Sequence, residues 1–297
     1  MRPYIAESSL LLVSAIWAST FLFTKIGLDF TTPSCYLFLR FAAVLIVLLA
    51  IFGRYLKQLN KQTAIQGLVL GLFFGIGFIL QTYGIKYTTV AKSSFMTGLV
   101  AATTPFIYWL VERKSFTRWQ VIGVIVATTG LLIFTNPEKS LNVGDICLLA
   151  STVIWAYYLC YMEIFTRGTS SFAKTSNLVI LQFVVTTPMA LLSSFVFDTS
   201  GFQVVWDKML LISLAFNALF ASILASFIQT AVQKHTTLAR ASLIYAMQPF
   251  IASFIAYLYY GVPFKPNEYV GAVIFFCGIF AAEIFPLLLK GKQAKAS

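Results

Sequence analysis

Two tryptophans in the middle of apolar stretches are the side chains most suited to binding chemistry. Trp17 and Trp155 each lie near the centre of a long apolar run, whereas the other three tryptophans lie near the ends of such runs. Tryptophan normally prefers a polar–apolar boundary, and a buried indole N–H needs a hydrogen-bond partner. Two rings facing each other across a cavity would offer flat surfaces to an aromatic ring or an ammonium group. The alternative is plain helix packing.

Side chains at helical spacing extend each tryptophan into a candidate binding surface. Residues three or four positions away share a helical face with it. These are Ser14 and Phe21 for Trp17, and Thr152 and Tyr158 for Trp155. We therefore predict a substrate-binding set that combines hydroxyl groups with aromatic rings.

A glutamine–proline pair supplies a second candidate contact. Gln248 lies near the centre of an apolar run, directly before Pro249. A proline inside a helix frees the carbonyl four residues earlier, here that of Tyr245, and lets the helix bend. Gln248 and this carbonyl would bind an amine or an amide. The alternative is a structural kink with a satisfied glutamine.

Four more polar residues fall within the apolar runs. Asn217 is a candidate substrate contact, with hydrogen bonding between helices as the alternative. Gln81 and Gln229 lie near the ends of two runs, and we interpret them as gate or interface residues. Arg40 carries a charge that costs at least about 2.5 kcal/mol if it is unpaired at the centre of a span. It can snorkel outward, pair with a helix C-terminus or hold a substrate carboxylate.

The elements that position these residues are predicted to be membrane helices. Apolar residues make up 59% of the 297 residues and charged residues only 10%, against a usual charged share of about 25%. The apolar runs are continuous rather than alternating, which favours helices over a β-barrel. Ten runs are long enough to span a bilayer, near residues 8–28, 33–52, 64–85, 92–111, 118–135, 145–165, 176–197, 208–231, 240–260 and 267–289.

Basic residues are distributed unevenly between the loops. If the N-terminus is inside, fourteen basic residues fall on the cytoplasmic side and six on the outer side. This excess predicts a multi-pass protein of the cell membrane, cytoplasmic or inner, with both termini in the cytoplasm. The net charge of +11 is explained by this rule, so no nucleic-acid partner is expected.

The chain contains an internal repeat. QTYGIKYTTVAKSSF, from Gln81, and QTAVQKHTTLARASL, from Gln229, are identical at seven of fifteen positions. ESSLLLVSAIWA matches DICLLASTVIWA, which pairs Trp17 with Trp155, and WQVIGVIVATTG matches NEYVGAVIFFCG. Three matches in the same order predict a duplication. We place the two repeats at residues 1–142 and 143–297.

The repeat has consequences for topology. Each half carries five spans, and because five is odd the second half begins on the opposite side of the membrane. Inverted repeats are typical of secondary transporters, whose substrate site lies near the midplane between the halves. Pro105 lies four residues off the repeat register of Pro249, so we expect the two halves to bend at different depths.

Several motifs resemble those of the drug/metabolite transporter superfamily, EamA type. They are IWASTFLFTK, the Arg40–Phe41 pair, QTYGIKYTTVAKSSFMTG, IWAYYL and AMQPF. The resemblance implies a ten-helix 5+5 inverted repeat, cytoplasmic termini, and movement of amino acids or other small metabolites, often outward. The chain departs from the family at Gln248, where an acidic residue is common, and at Gly261–Val262, where Gly-Glu is common.

The sequence therefore predicts an all-α integral membrane protein that acts as a secondary transporter. Aromatic or other neutral amino acids are the first substrate class, exported or exchanged by alternating access, and a larger aromatic or nucleoside-like metabolite is the alternative. A membrane-embedded enzyme would need catalytic groups clustered at depth, and a scaffold would need neither the repeat nor the paired tryptophans. We expect a small-molecule substrate and the lipid bilayer as partners, no cofactor, no metal, and a chain that can work as a monomer.

Overall fold

The structure, a computed structural model, describes residues 3–113, 117–135, 142–168, 171–198, 201–232, 235–236, 241, 244–245 and 247–296. These residues are nearly all helical, and the extended pairing among them is a single bridge between Thr31 and Val204. The α-helices are α1 (Pro3–Gly27), α2 (Pro33–Phe52), α3 (Lys61–Tyr87), α4 (Val90–Gly98), α5 (Val100–Glu112), α6 (Arg118–Thr135), α7 (Val143–Thr166), α8 (Phe172–Phe197), α9 (Lys208–Phe216), α10 (Ala225–Val232), α11 (Gln248–Tyr260) and α12 (Pro266–Ala296).

These helices combine into ten segments, five from each half of the chain. A 3₁₀ turn, Gly53–Gln58, extends α2, and a π-helix, Asn217–Leu224, joins α9 to α10. Among the described residues, seven helical segments are long and apolar enough to cross a membrane, and Arg118–Phe134 and Pro266–Ala281 are shorter apolar helices. The predicted fold class is confirmed: an all-α integral membrane protein with ten transmembrane helices in a 5+5 inverted repeat.

Contacts at the helix ends show how the two halves are oriented. Lys25, in the last turn of α1, donates from Nζ to three backbone carbonyls at the end of α3, at 2.8 to 2.9 Å. Asn142, which precedes α7, donates from Nδ2 to the carbonyl of Tyr87 at 3.2 Å. The ends of α1 and α3 therefore lie beside the start of α7. It follows that α1 and its repeat counterpart α7 run in opposite directions.

Close helix contacts depend on glycines at two places. A Cβ added at Gly71 of α3 would lie 2.7 Å from the Cβ of Val185 in α8, so this glycine lets the two helices approach. A Cβ at Gly130 of α6 would clash with the backbone of Phe275 in α12, and one at Gly278 would clash with the backbone of Ala127. Gly130 and Gly278 are repeat counterparts, so the last helices of the two halves pack on each other.

The fourth and ninth segments are both interrupted. α4 ends at Gly98 and α5 begins at Val100, with Leu99 in a turn between them, and Met247 occupies the equivalent turn before α11. Leu99 and Met247 are 148 residues apart, the same offset as Gln81 and Gln229. The interruptions therefore occupy matching positions in the two repeats.

The two prolines lie at different distances from these interruptions. Pro105 lies inside α5, beyond the turn, whereas Pro249 lies in the first turn of α11. A proline is tolerated in a first turn because its missing N–H would have no helical partner there. The expected difference in depth between bends at the two prolines stays a prediction.

Candidate functional site

A cavity lies between the two halves and is lined by helices from both. The space open to the centres of water molecules is about 90 Å³, and the total empty volume, mouth included, is about 770 Å³. That is room for several water molecules or one small organic molecule. Its described lining consists of Trp17, Thr20, Phe21, Arg40, Phe74, Phe78, Gln81, Thr97, Gly98, Val100, Ala101, Trp155, Tyr158, Leu159, Ala221, Ser226, Gln229, Tyr245 and Gln248.

Trp17 is fixed in the cavity wall by a hydrogen bond and an aromatic contact. Its Nε1 donates to the carbonyl of Ala221 at 3.1 Å. Its ring centre lies 5.5 Å from that of Tyr245. Ala221 belongs to the π-helix, whose wider turns break the regular pattern of backbone hydrogen bonds. A carbonyl of the eighth segment thus orients the first tryptophan.

Trp155 lies in the same wall in a different environment. Its ring meets Phe74, Phe78 and Tyr158 edge to face, with ring centres 5.6, 5.0 and 5.4 Å away. Its Nε1 is buried and has no hydrogen-bond partner among the described residues. The two tryptophans are related by the repeat, but only Trp17 has its indole N–H satisfied by the described protein.

Tyr158 and Phe21 contribute rings rather than polar groups. The Tyr158 hydroxyl donates to Oε1 of Gln182 in α8 at 2.9 Å, so it is engaged in the core. Phe21 is 2% exposed and lies one helical turn from Trp17. Both residues were predicted from their spacing, and the structure places both in the lining.

The glutamines predicted at three separate places come together at this cavity. Gln81, Gln229 and Gln248 all line it. Gln229 is fully buried and lies close to Tyr245, and neither side chain completes a hydrogen bond of normal geometry with a described residue. The predicted gating role of Gln81 and Gln229 stays a prediction, and their position in the wall makes substrate contact geometrically available to both.

Arg40 is buried in the cavity wall. The residue is 2% exposed, so its side chain does not snorkel to a boundary. Its Nε donates to Oγ of Ser222 at 2.9 Å, and its guanidinium carbon lies 4.8 Å from the ring centre of Phe78. Among the described residues, no carboxylate lies within 4.0 Å of it. The cation therefore faces the cavity without a counter-charge from the described protein.

Ser14 and Thr152 lie outside the lining, although both were predicted as substrate contacts. Ser14 Oγ donates to the carbonyl of Ile244 at 3.1 Å, and Thr152 Oγ1 donates to the carbonyl of Met96 at 3.0 Å. Met96 and Ile244 are 148 residues apart and each lies three residues before an interrupted turn. The two hydroxyls hold equivalent carbonyls of the two interrupted segments. Their role in the structure is to fix those segments against α1 and α7.

Asn217 is also placed outside the cavity. Its Nδ2 donates to the hydroxyl of Tyr36 at 2.5 Å and to Oγ1 of Thr24 at 3.2 Å. These bonds join the eighth segment to α1 and α2, which is the interhelical alternative considered for this residue. Pro105 and Pro249 likewise do not line the cavity, and Pro249 packs closely against Gly98.

The sequence matches the EamA-like transporter family over residues 5–136 and 142–282. The chain belongs to the EamA-like transporter family. It is therefore a multi-pass membrane protein and a transporter. The boundary between its repeats, placed at residues 142 and 143, stays a prediction.

The EamA-like chain is similar to several curated proteins over most of its length. It is 26% identical over 286 residues to an uncharacterized transporter of Archaeoglobus fulgidus, covering 96% of this chain and 87% of that protein. It is 22% identical over 281 residues to the uncharacterized transporter YoaV of Bacillus subtilis, covering 90% and 93%. A solved crystal structure aligns with a TM-score of 0.65 at 15% identity, over 97% of this chain and 99% of that one, which shows a shared fold.

Ion pairs in the described part of this EamA-like transporter lie at the two ends of α7. Lys92 pairs with the buried carboxylate of Asp145 at 2.7 Å. At the other end, Arg167 pairs with Glu112 at 3.1 Å and with Glu163 at 2.7 Å. Arg167 donates hydrogen bonds to both glutamates, and these bonds raise the pKa of Arg167 above its ordinary value. Both clusters link α7 to the fourth segment, one above and one below the cavity.

Ten lining residues of the EamA-like transporter were not predicted. Thr20 lies three residues after Trp17, so the helical spacing used for Phe21 would also have found it. Ala221 lies in the π-helix and Ser226 in the first turn of α10, and no local sequence pattern predicted the π-helix. The others are Phe74, Phe78, Thr97, Gly98, Val100, Ala101 and Leu159. Their positions depend on how α3, the fourth segment and α7 pack together.

Proposed function

We propose that this transporter carries small metabolites across the cytoplasmic membrane, with aromatic or other neutral amino acids as the first substrate class. It works by alternating access, as an exporter or exchanger. The observation that supports this proposal is a cavity enclosed by both halves, with Trp17 contributed by one and Trp155 by the other.

The lining has the chemistry that such substrates need. An aromatic or aliphatic side chain would pack between the Trp17–Tyr245 pair and the rings of Phe74 and Phe78. The glutamine side chains supply carbonyl oxygens for an ammonium group, and the tryptophan faces attract cations. The cavity volume suits a molecule of amino-acid size rather than a peptide.

The paired interruptions support alternating access. Each half contributes one broken segment to the cavity, and each broken segment is held by one hydroxyl of the opposite half. Because the halves are inverted, exchanging the conformations of the two repeats would open the same cavity to the other side. The cavity is formed within one chain, so a monomer suffices for this cycle.

A second candidate substrate is a larger aromatic or nucleoside-like metabolite. The supporting observation is the number of rings in the lining, since stacking on Trp17 and Tyr245 would suit a nucleobase as well as an amino-acid side chain. The two candidates differ in charge, because a nucleoside lacks the carboxylate and ammonium groups of an amino acid.

An uptake screen in liposomes tests the proposal. The purified protein would be tested with labelled phenylalanine, leucine and adenosine, each compared with protein-free vesicles. We expect amino-acid uptake above background. The apparent affinity should fall about fivefold in Trp155→Ala, since an aromatic contact contributes about 1 kcal/mol. The exposed Trp206, changed to Ala, is the matched control and should transport normally.

Two outcomes would count against the proposal. If no compound crosses faster than through empty vesicles, the transport function itself is contradicted. If adenosine crosses and the amino acids do not, the nucleoside-like alternative replaces the first substrate class. Equal uptake by the Trp155→Ala protein would contradict the aromatic cavity as the site.

A further inference from the structure

Two side chains of the described cavity wall, Arg40 and Trp155, carry N–H donors that no described acceptor satisfies. Among the described residues the Arg40 guanidinium has one hydrogen bond, through Nε to Ser222, although it carries five N–H groups. The buried indole N–H of Trp155 has no partner among the described residues. Buried donors without partners are costly, so a ligand rich in acceptors fits this wall.

The side chains of Arg40 and Trp155 both adjoin the ring of Phe78. Phe78 lies between them, with its ring centre 4.8 Å from the Arg40 guanidinium carbon and 5.0 Å from the ring centre of Trp155. A ligand resting on Phe78 would therefore meet the Arg40 cation beside an aromatic surface formed by Phe78 and Trp155. Ser222, which holds Nε, is itself fixed by donating to the carbonyl of Asn217 at 2.9 Å. The guanidinium is thus oriented before a ligand arrives.

The charge of the cavity lining restricts the class of ligand further. The described lining of the cavity contains one ionised side chain, Arg40, and neither a carboxylate nor a histidine. A buried cation without a counter-ion is unfavourable in a membrane interior. A ligand with one negative group would neutralise it, and a carboxylate matches the planar fork of a guanidinium.

We propose that Arg40 is the carboxylate-binding residue of this cavity, and that the substrates are small monocarboxylates with an apolar, preferably aromatic, body. This inference rests on the proposed function. It states which part of an amino acid the site requires: the carboxylate is essential and the ammonium group is dispensable. Aromatic and aliphatic carboxylates without an amine therefore belong to the same substrate class.

Binding of matched compounds tests the inference without requiring transport. The thermal stability of the purified full chain would be measured with three series: 3-phenylpropionate, phenylalanine and phenethylamine; indole-3-propionate, tryptophan and tryptamine; 4-methylpentanoate, leucine and isoamylamine. In at least one series we expect the two carboxylates to stabilise the protein and the amine to need a concentration at least about tenfold higher.

Variants at Arg40 separate a ligand-binding role from a structural one. Arg40→Gln should abolish stabilisation by the carboxylates, and Arg40→Lys should weaken it, because a lysine keeps the charge without the fork. Without ligand, Arg40→Gln should be no less stable than the wild type, since an uncompensated buried charge has been removed. A purely structural arginine predicts the opposite: a clear loss of stability in Arg40→Gln.

Several results would overturn the inference. The first is that the amines stabilise the protein as much as the carboxylates do in every series. The second is that no carboxylate stabilises it in any series. The third is that carboxylate binding is unchanged in Arg40→Gln. If Arg40→Gln fails to fold, stabilisation by the carboxylates is compared between the wild type and Arg40→Lys. Equal stabilisation of the two proteins would then overturn the inference. If compounds with and without a carboxylate are taken up equally well, this inference alone is overturned. If carboxylates bind but no compound is taken up, the transport proposal alone is overturned.

Discussion

Residues 17 and 155 carry the same side chain at equivalent positions of the repeat, yet their environments differ. Trp17 donates to the carbonyl of Ala221, whereas the N–H of Trp155 has no partner in the described protein. The difference arises because the π-helix, Asn217–Leu224, presents a carbonyl to Trp17. We therefore assign a hydrogen-bonded anchoring role to the first indole and an aromatic packing role to the second.

Replacing each indole by a phenyl ring tests this assignment. Trp17→Phe leaves the buried Ala221 carbonyl without its donor and should lower the free energy of unfolding by at least about 1 kcal/mol. Trp155→Phe removes an N–H that has no partner among the described residues, so the stability of this variant should change much less. Thermal unfolding of the detergent-solubilised protein measures both, with Trp206→Phe as the exposed control. Equal losses at positions 17 and 155 would contradict the difference in their roles.

At the scale of helices, the fourth and ninth segments share one design. Each is interrupted at an equivalent turn, and a hydroxyl of the opposite half binds the carbonyl three residues before that turn. This carbonyl is drawn toward α1 or α7 instead of facing lipid. The interruptions are therefore supported by tertiary hydrogen bonds, which is the condition for irregular backbone at membrane depth.

Removing these hydroxyls should loosen the interrupted segments. Ser14→Ala and Thr152→Val should each lower the free energy of unfolding by about 0.6 kcal/mol, the usual contribution of a hydrogen bond between membrane helices. Ser9→Ala is the matched control, because Ser9 bonds to Ile5 within its own helix. The thermal midpoints of the three variants measure the effect. A loss in Ser9→Ala as large as that in Ser14→Ala would argue against a special role for the two hydroxyls.

For the whole molecule, the arrangement of the halves follows from the odd number of spans. The contacts of Lys25 and Asn142 place the ends of α1 and α3 beside the start of α7, so the two repeats run in opposite directions. The orientation of the protein in the membrane is predicted separately, from the distribution of basic residues. Because cytoplasmic loops carry the excess of lysine and arginine, we propose that both chain ends lie in the cytoplasm.

Reporter fusions test the proposed orientation. A fluorescent protein that folds only in the cytoplasm should be bright at either terminus. Alkaline phosphatase, which is active only outside the cytoplasm, should be active when fused after the exposed Gly201, in the loop that follows α8. Termini found in different compartments would contradict the ten-span arrangement. An inactive phosphatase at Gly201, together with non-fluorescent fusions at both termini, would show that the orientation is the reverse of the proposed one.

The sequence by itself determined the class of the protein, its segments and the pairing of its halves. Composition, the length of apolar runs and an internal repeat are properties of the linear chain, and they decide whether segments enter a bilayer. They also located Trp17, Trp155, Gln229 and Gln248, which line the cavity. Helical spacing assigned Ser14 and Thr152 to the same face as the tryptophans, but spacing does not show which neighbour that face meets.

Only the tertiary structure decided which of these residues share a cavity. The turns at Leu99 and Met247 lie beside Gly98 and Pro249, and hydroxyls from the other half of the chain support them. The environment of Arg40 was open in the sequence, because a long basic side chain can snorkel, pair or bind. Its burial against Phe78, with no described carboxylate nearby, depends on α2, α3 and the π-helix meeting at one point. A charge without a partner becomes visible only when all its neighbours are known.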